Sequence, residues 1–152
     1  MTLPASFPLS MSQISNELGL SFPISISHSW VLKLAQIGSL PISFNQLLGK
    51  TGRFDGSPLC NSGGGGLTIN LGAAPWFGGQ LNFLTESFSP AGTTLAFNAA
   101  PNWNGNILVS NNTTSVSLVL GQLNGSTWTS GSAPSNLLRA GQSDSITILP
   151  SN

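Results

Sequence analysis

The chain has 152 residues, of which four are Lys or Arg, four are Asp or Glu and one is His, so 5% is charged and the net charge is zero. An ordinary soluble domain carries about 25%. With no basic stripe to displace counterions from a phosphate backbone and no cationic helix for an anionic lipid surface, the composition argues against nucleic acid and against a membrane as partner, and no apolar run reaches the ~18 residues of a span. So few ionisable groups also leave little to aim at a substrate. The expectation is a non-enzymatic protein with no catalytic residue, no cofactor and no metal site; the single Cys60 makes neither an intrachain disulfide nor a metal site.

Uncharged polar residues stand in for the missing ions: 24 Ser, 14 Asn, 11 Thr and 6 Gln, together 55 of 152. At 39% hydrophobic residues the chain has enough apolar material for one main core and does not read as disordered. A neutral polar exterior resists association poorly, and the centres of protein interfaces are depleted in charge. The expectation is a component of an assembly, covered by its neighbours, made in the cytoplasm because Met1-Thr-Leu-Pro4 carries no positive stretch of a secretion signal.

Residues 1–50 repeat themselves. Pro8-Leu-Ser-Met-Ser12, Pro23-Ile-Ser-Ile-Ser27 and Pro41-Ile-Ser-Phe-Asn45 share the pattern Pro, aliphatic, Ser, apolar, then Ser or Asn. Each unit reads as an extended entry followed by a short helix, with Ser12, Ser27 and Asn45 as N-caps, Gly19 and Gly49 as stops and Gly38 just beyond the second helix. Helices this short need packing partners. Residues 51–66 read as a connector ending in four glycines, Gly63 to Gly66: a flexible tether by backbone entropy, with a tight glycine bend against a neighbouring backbone as the alternative.

Over residues 67–152 the apolar period changes to two. Seven short strands are predicted, over 67–71, 80–85, 94–98, 106–110, 115–120, 126–129 and 145–149, separated by Ser89-Pro90, Asn104-Gly105, Asn111-Asn112, Asn124-Gly125 and Ala140-Gly141. This spacing predicts a mainly β fold, an antiparallel β-sandwich of Ig-like or jelly-roll type. Its inward set is Leu67, Ile69, Leu71, Leu81, Phe83, Leu95, Phe97, Ile107, Val109, Val116, Leu118, Leu120, Trp128, Ile146 and Ile148, and its uncharged edges invite pairing with another subunit.

Motifs that invite chemistry do not hold together. Gly49-Lys50-Thr51 lacks the glycine a phosphate loop needs at position 44, which is Phe. His28 has no acid or nucleophile near it in sequence, and a Glu86–Asp144 carboxylate pair would use half the chain's acids. The aromatics are better binding candidates. Trp76, Phe77 and Trp103 lie in Gly-, Pro- and Asn-rich segments, where an exposed ring stacks on a sugar or forms an interface hot spot; the plainer reading is that they cap the ends of the sheet.

The ordered set Ser10-Met-Ser-Gln-Ile14…Glu17-Leu-Gly19, Ile24-Ser-Ile-Ser-His28…Leu34-Ala35 and Pro41-Ile-Ser-Phe-Asn45…Leu48-Gly49-Lys50 resembles a leader found in small virion proteins of tailed bacteriophages. Trp30 departs from it, where small residues are commoner, as does Leu47-Leu48, where an aromatic often falls; nothing in the resemblance covers residues 67–152. It implies a virion structural protein of the tail tip, tail fibre or baseplate, with a capsid decoration protein and a module for host-surface glycans as alternatives. It also implies other virion proteins as partners and a homo-oligomer of trimeric or hexameric symmetry. On this reading Ile14, Leu18, Trp30, Val31, Leu34, Phe44 and Leu47 dock the leader onto a neighbouring subunit.

Overall fold

A computed structural model describes residues 2–152. In chain order it has helix α1 (Met11–Glu17), helix α2 (Ser29–Ala35), a 3-10 turn (Phe44–Leu47), then strands β1 (Phe54–Gly56), β2 (Cys60–Gly63), β3 (Gly66–Asn70), β4 (Pro75–Trp76), β5 (Gly79–Phe88), β6 (Ala91–Ala99), β7 (Asn106–Asn111), β8 (Val116–Asn124), β9 (Thr127–Ser130) and β10 (Ile146–Ser151). The protein is mainly β. All seven predicted strands are present, and three more of two to four residues, β1, β2 and β4, join them.

Every pairing is antiparallel, and nine strands form one path, β1-β10-β7-β8-β9-β6-β5-β3-β2, with β4 attached to β5. The path curls through β8. Val116 to Leu120 pair with β7, and from Gly121 the same strand pairs with β9. The two end strands, β1 and β2, are consecutive in the chain, so the three residues 57–59 between them hold the sheet's ends within about 14 Å. The loop before β10 helps to close that gap: Cys60 N–H donates to Gln142 O (2.9 Å) and Gly141 N–H to Cys60 O (2.8 Å).

The four glycines are not a tether. Gly63 pairs with Gly66 across a two-residue turn in which Gly64 (φ 61°) and Gly65 (φ 82°) both take the left-handed conformation a tight hairpin needs. A Cβ on Gly66 would lie 2.2 Å from Glu86 O, so the run is the close glycine bend. The inward set holds with one exchange: β5 shifts register between Leu81 and Leu84, so Leu84 is fully buried and Phe83 turns outward, 38% exposed. Val116 and Leu118 are only half-buried.

The leader packs on the sheet and shares one core with it. Its chain ends meet, Leu3 N–H donating to Lys50 O and Gly49 N–H to Pro4 O, each at 2.9 Å. The caps fall elsewhere than predicted. Ser10, two residues after Pro8, caps α1 in a reciprocal box with Gln13, and Ser43, two after Pro41, donates its N–H to Gln46 Oε1 (2.8 Å). In the middle unit Ser25 instead accepts from Ser27 N–H, and the α2 cap is His28, whose Nδ1 accepts from Trp30 N–H. Gly19 and Gly49 take positive φ as expected, and α2 ends on Gln36 (φ 63°) with Gly38 just beyond it, as expected.

Candidate functional site

The site is the junction between leader and sheet, built on an aromatic platform. Trp76 pairs with Gly79, and the turn residues between them, Phe77 (φ 46°) and Gly78 (φ 77°), are both left-handed; across this tight turn Phe77 meets the leader's Leu18 and Leu34 around Gly52, while Trp76 faces the sheet's own aromatics. Trp76 and Phe77 centroids lie 4.6 Å apart, Phe77 is 5.0 Å from Trp103, and Trp103 meets Trp30 of α2 edge-on at 5.2 Å. Trp76 continues inward through Phe97 to Trp128. Backbone bonds fix the junction: Phe77 N–H donates to Thr51 O (2.7 Å), Asn102 N–H to Phe77 O (2.8 Å), and the Asn102 amide to Lys33 O (2.8 Å).

These contacts correct two expectations. Trp76, Phe77 and Trp103 are not exposed binding rings: the first two are fully buried and Trp103 is 4% exposed, because the leader's Trp30 packs on Trp103, its Leu18 and Leu34 lie by Phe77, and Trp76 packs on Phe97. Ile14, Leu18, Val31, Leu34 and Leu47 are fully buried as well, with Trp30 and Phe44 partly so, but on this chain's own sheet rather than on a neighbour. Gly52 shows the fit, since a Cβ there would meet Phe77, Leu18 and Leu34 at 3.1–3.2 Å. Burial on the platform supplies the packing that seven-residue helices lack.

The acids divide into two kinds. Glu17 is buried where α1 meets the β1 approach, its Oε1 accepting from Gly52 N–H (2.8 Å) and Arg53 N–H (3.1 Å) while Oε2 has no hydrogen-bond partner among the described residues. Burial pushes its carboxyl up to about 7, against the pull of those N–H donors. Glu86, buried in β5, is likewise pushed by burial to about 7, opposed by the Leu138 N–H. Asp55 and Asp144 are salt-bridged. For Asp55, burial is outweighed by Arg53 (2.6 Å) and the Thr147 hydroxyl (2.7 Å), which hold it below the usual range. Asp144 is held down by the forked Arg139 guanidinium and also accepts from the Asn111 amide (2.8 Å). Glu86 and Asp144 thus have separate partners and do not form a dyad, His28 serves as a helix cap, and burial raises the Cys60 thiol. Among the described residues no group of three His, Cys, Asp or Glu side chains is placed to hold a metal, and no helix is long and apolar enough to cross a membrane.

Two surface features escaped the sequence reading. An open groove of about 270 Å³ runs along α2 to Asn102. Separately, Phe7, Phe22 and Leu40 stand 59%, 62% and 53% exposed, each immediately before the proline that opens a repeat. The repeat itself carried that second signal, one residue upstream of the pattern's start. Comparison with protein-family models, curated proteins and solved structures finds no match for this chain.

Proposed function

We propose that this chain is a non-enzymatic structural protein of a bacteriophage virion, seated in the tail-tip or fibre apparatus, with the curled sheet displayed as a β-sandwich. The observation that carries the architectural part is the leader's exposed apolar set: three repeats each expose one large apolar residue at the same repeat position, in a chain whose side-chain carboxylates are buried or matched by arginine. Such a set loses little by desolvation when a neutral neighbour covers it. Docking would then use Phe7, Phe22 and Leu40, with the residues beneath holding the leader in shape. The phage assignment rests on the resemblance of the three repeats.

The test is a particle assembled with the full-length chain. The protein is expected in purified virions in copies that are a multiple of three or six, with Phe7→Ser/Phe22→Ser/Leu40→Ser folded but absent from them. Undiminished incorporation of that variant overturns the docking face, and absence of the wild-type chain from the particle overturns the virion reading.

A further inference from the structure

The charges on this molecule are unevenly matched. Asp55 and Asp144 are bonded to Arg53 and Arg139, and Glu17 and Glu86 are buried. Among the described residues two lysine ammonium groups remain: Lys33 lines the α2 groove and Lys50 adjoins it through Gln36. Lys33 donates to Asn104 Oδ1 (2.6 Å), with its Nζ 5.8 Å from the centre of the Trp103 ring. Lys50 donates to Oε1 of Gln36, another lining residue (2.9 Å). Each lysine thus meets a neutral amide oxygen where the arginines meet carboxylates. Together they outweigh the roughly half negative charge of the adjacent helix C-terminus.

Gln36 is held deliberately. It is a non-glycine residue at φ 63°, a conformation that costs about 1 kcal/mol or more and persists only where the surroundings impose it. Its amide nitrogen lies 1.4 Å from where a Cβ on Gly78 would be, so the absence of a side chain at Gly78 makes its seat. The remaining lining alternates hydroxyl and amide groups, Ser29 and Asn102, with the aliphatic flanks of Leu32 and Ile37. Neutral hydrogen-bonding groups beside an apolar flank suit a pyranose ring, and a volume of about 270 Å³, below the usual range for drug-sized ligands, suits one or two rings.

We propose that this groove binds a carboxylate-bearing sugar, a uronic or sialic acid unit of a glycan, with Lys33 and Lys50 facing the carboxylate and Ser29, Gln36 and Asn102 facing the ring hydroxyls. The site is distinct from the buried aromatics and does not depend on the architectural reading.

The experiment is a nitrogen-15 NMR titration of the full chain with methyl galacturonoside, with the methyl glycoside of N-acetylneuraminic acid, with neutral methyl galactoside and with a tetraglutamate peptide. At least one acidic sugar is expected to shift the amides of α2 and Asn102 saturably, with a Kd on the order of 1 mM that weakens with salt. Lys50→Gln is expected to weaken it about tenfold, the scale of one charge-assisted hydrogen bond, and Lys33→Gln by a similar factor. Should Lys33→Gln disturb Trp103, Lys50→Gln still reports, because among the described residues the Lys50 side chain bonds Gln36 only. Equal binding of the neutral sugar, tighter binding of the peptide, shifts centred elsewhere, or no saturable shift with either acidic sugar would each overturn the proposal.

Discussion

The leader and the sheet are stabilised in opposite ways. Between β1 and β10 the backbone is held by long antiparallel ladders, and the core lies on the face those ladders enclose. From residue 2 to 50 there are two helices of seven residues and a 3-10 turn of four, too short to persist alone, and their order comes from side chains inserted into someone else's surface. The same apolar residues in a leader thus serve internal docking or an external contact according to what platform lies within reach. Here the platform is Trp76, Phe77 and Trp103 on the chain's own turns.

If that contrast is right, the largest effect comes from removing the platform. Trp103→Ala is expected to cost about 3–5 kcal/mol and to make residues 2–50 the first segment cut in limited proteolysis, whereas Trp128→Ala, which packs on Phe97 away from the leader, should cost as much while opening leader and sheet together. Cleavage of both variants at the same early sites would mean that the two regions unfold as one.

The buried acids come next. Both Glu17 and Glu86 have folded-state values near 7 against an ordinary 4.5, so the fold favours their protonated forms: stability is fullest below about pH 4.5 and falls as pH rises through 7. Denaturant melts should therefore show stability rising on acidification from pH 8 to about 5. Glu17→Gln, whose amide oxygen can still accept from Gly52 and Arg53, is expected to gain up to roughly 3 kcal/mol at pH 8 and little at pH 5, with its hydrogen-exchange gain strongest in α1. In Glu86→Gln the gain should centre on β5.

Gly78→Ala follows at about 2 kcal/mol, from the left-handed backbone and the collision with the Gln36 amide, visible as a lower Tm and faster exchange at the end of α2. Smallest is Ser10→Ala, about 1 kcal/mol from the lost α1 cap, read as exchange confined to the first turn.

How much of this was legible depended on the range of the interaction that decides it. The seven strands follow from local alternation and turn residues, and all are found. Period two puts Phe83 inward because it extrapolates through a bulge, which is a two-strand property. The glycine run looked like a tether because composition does not reveal that Gly63 pairs with Gly66 or that Glu86 O occupies the space beside it. Trp76 ends a two-residue strand and Trp103 lies in a loop, both in Gly-, Pro- and Asn-rich segments of the kind normally at the surface; Trp103 is covered by Trp30, far from it in sequence, and Trp76 by Phe97 and Trp103. The junction's apolar residues were identified, but their partner surface was not, since spacing fixes a helix face without saying what it faces.

The strap over residues 57–59 carries a further consequence. Because the sheet's two end strands follow one another along the backbone, a single cut at exposed Leu59 would leave every strand present, with the Cys60 bonds to residues 141 and 142 still spanning the gap. The outer rims of β1 and β2, which no strand of the path pairs, would then be freer to meet other molecules in a protein with almost no ionic repulsion to hold them off. Three residues of loop and two backbone hydrogen bonds thus stand between a discrete particle and a polymerising one.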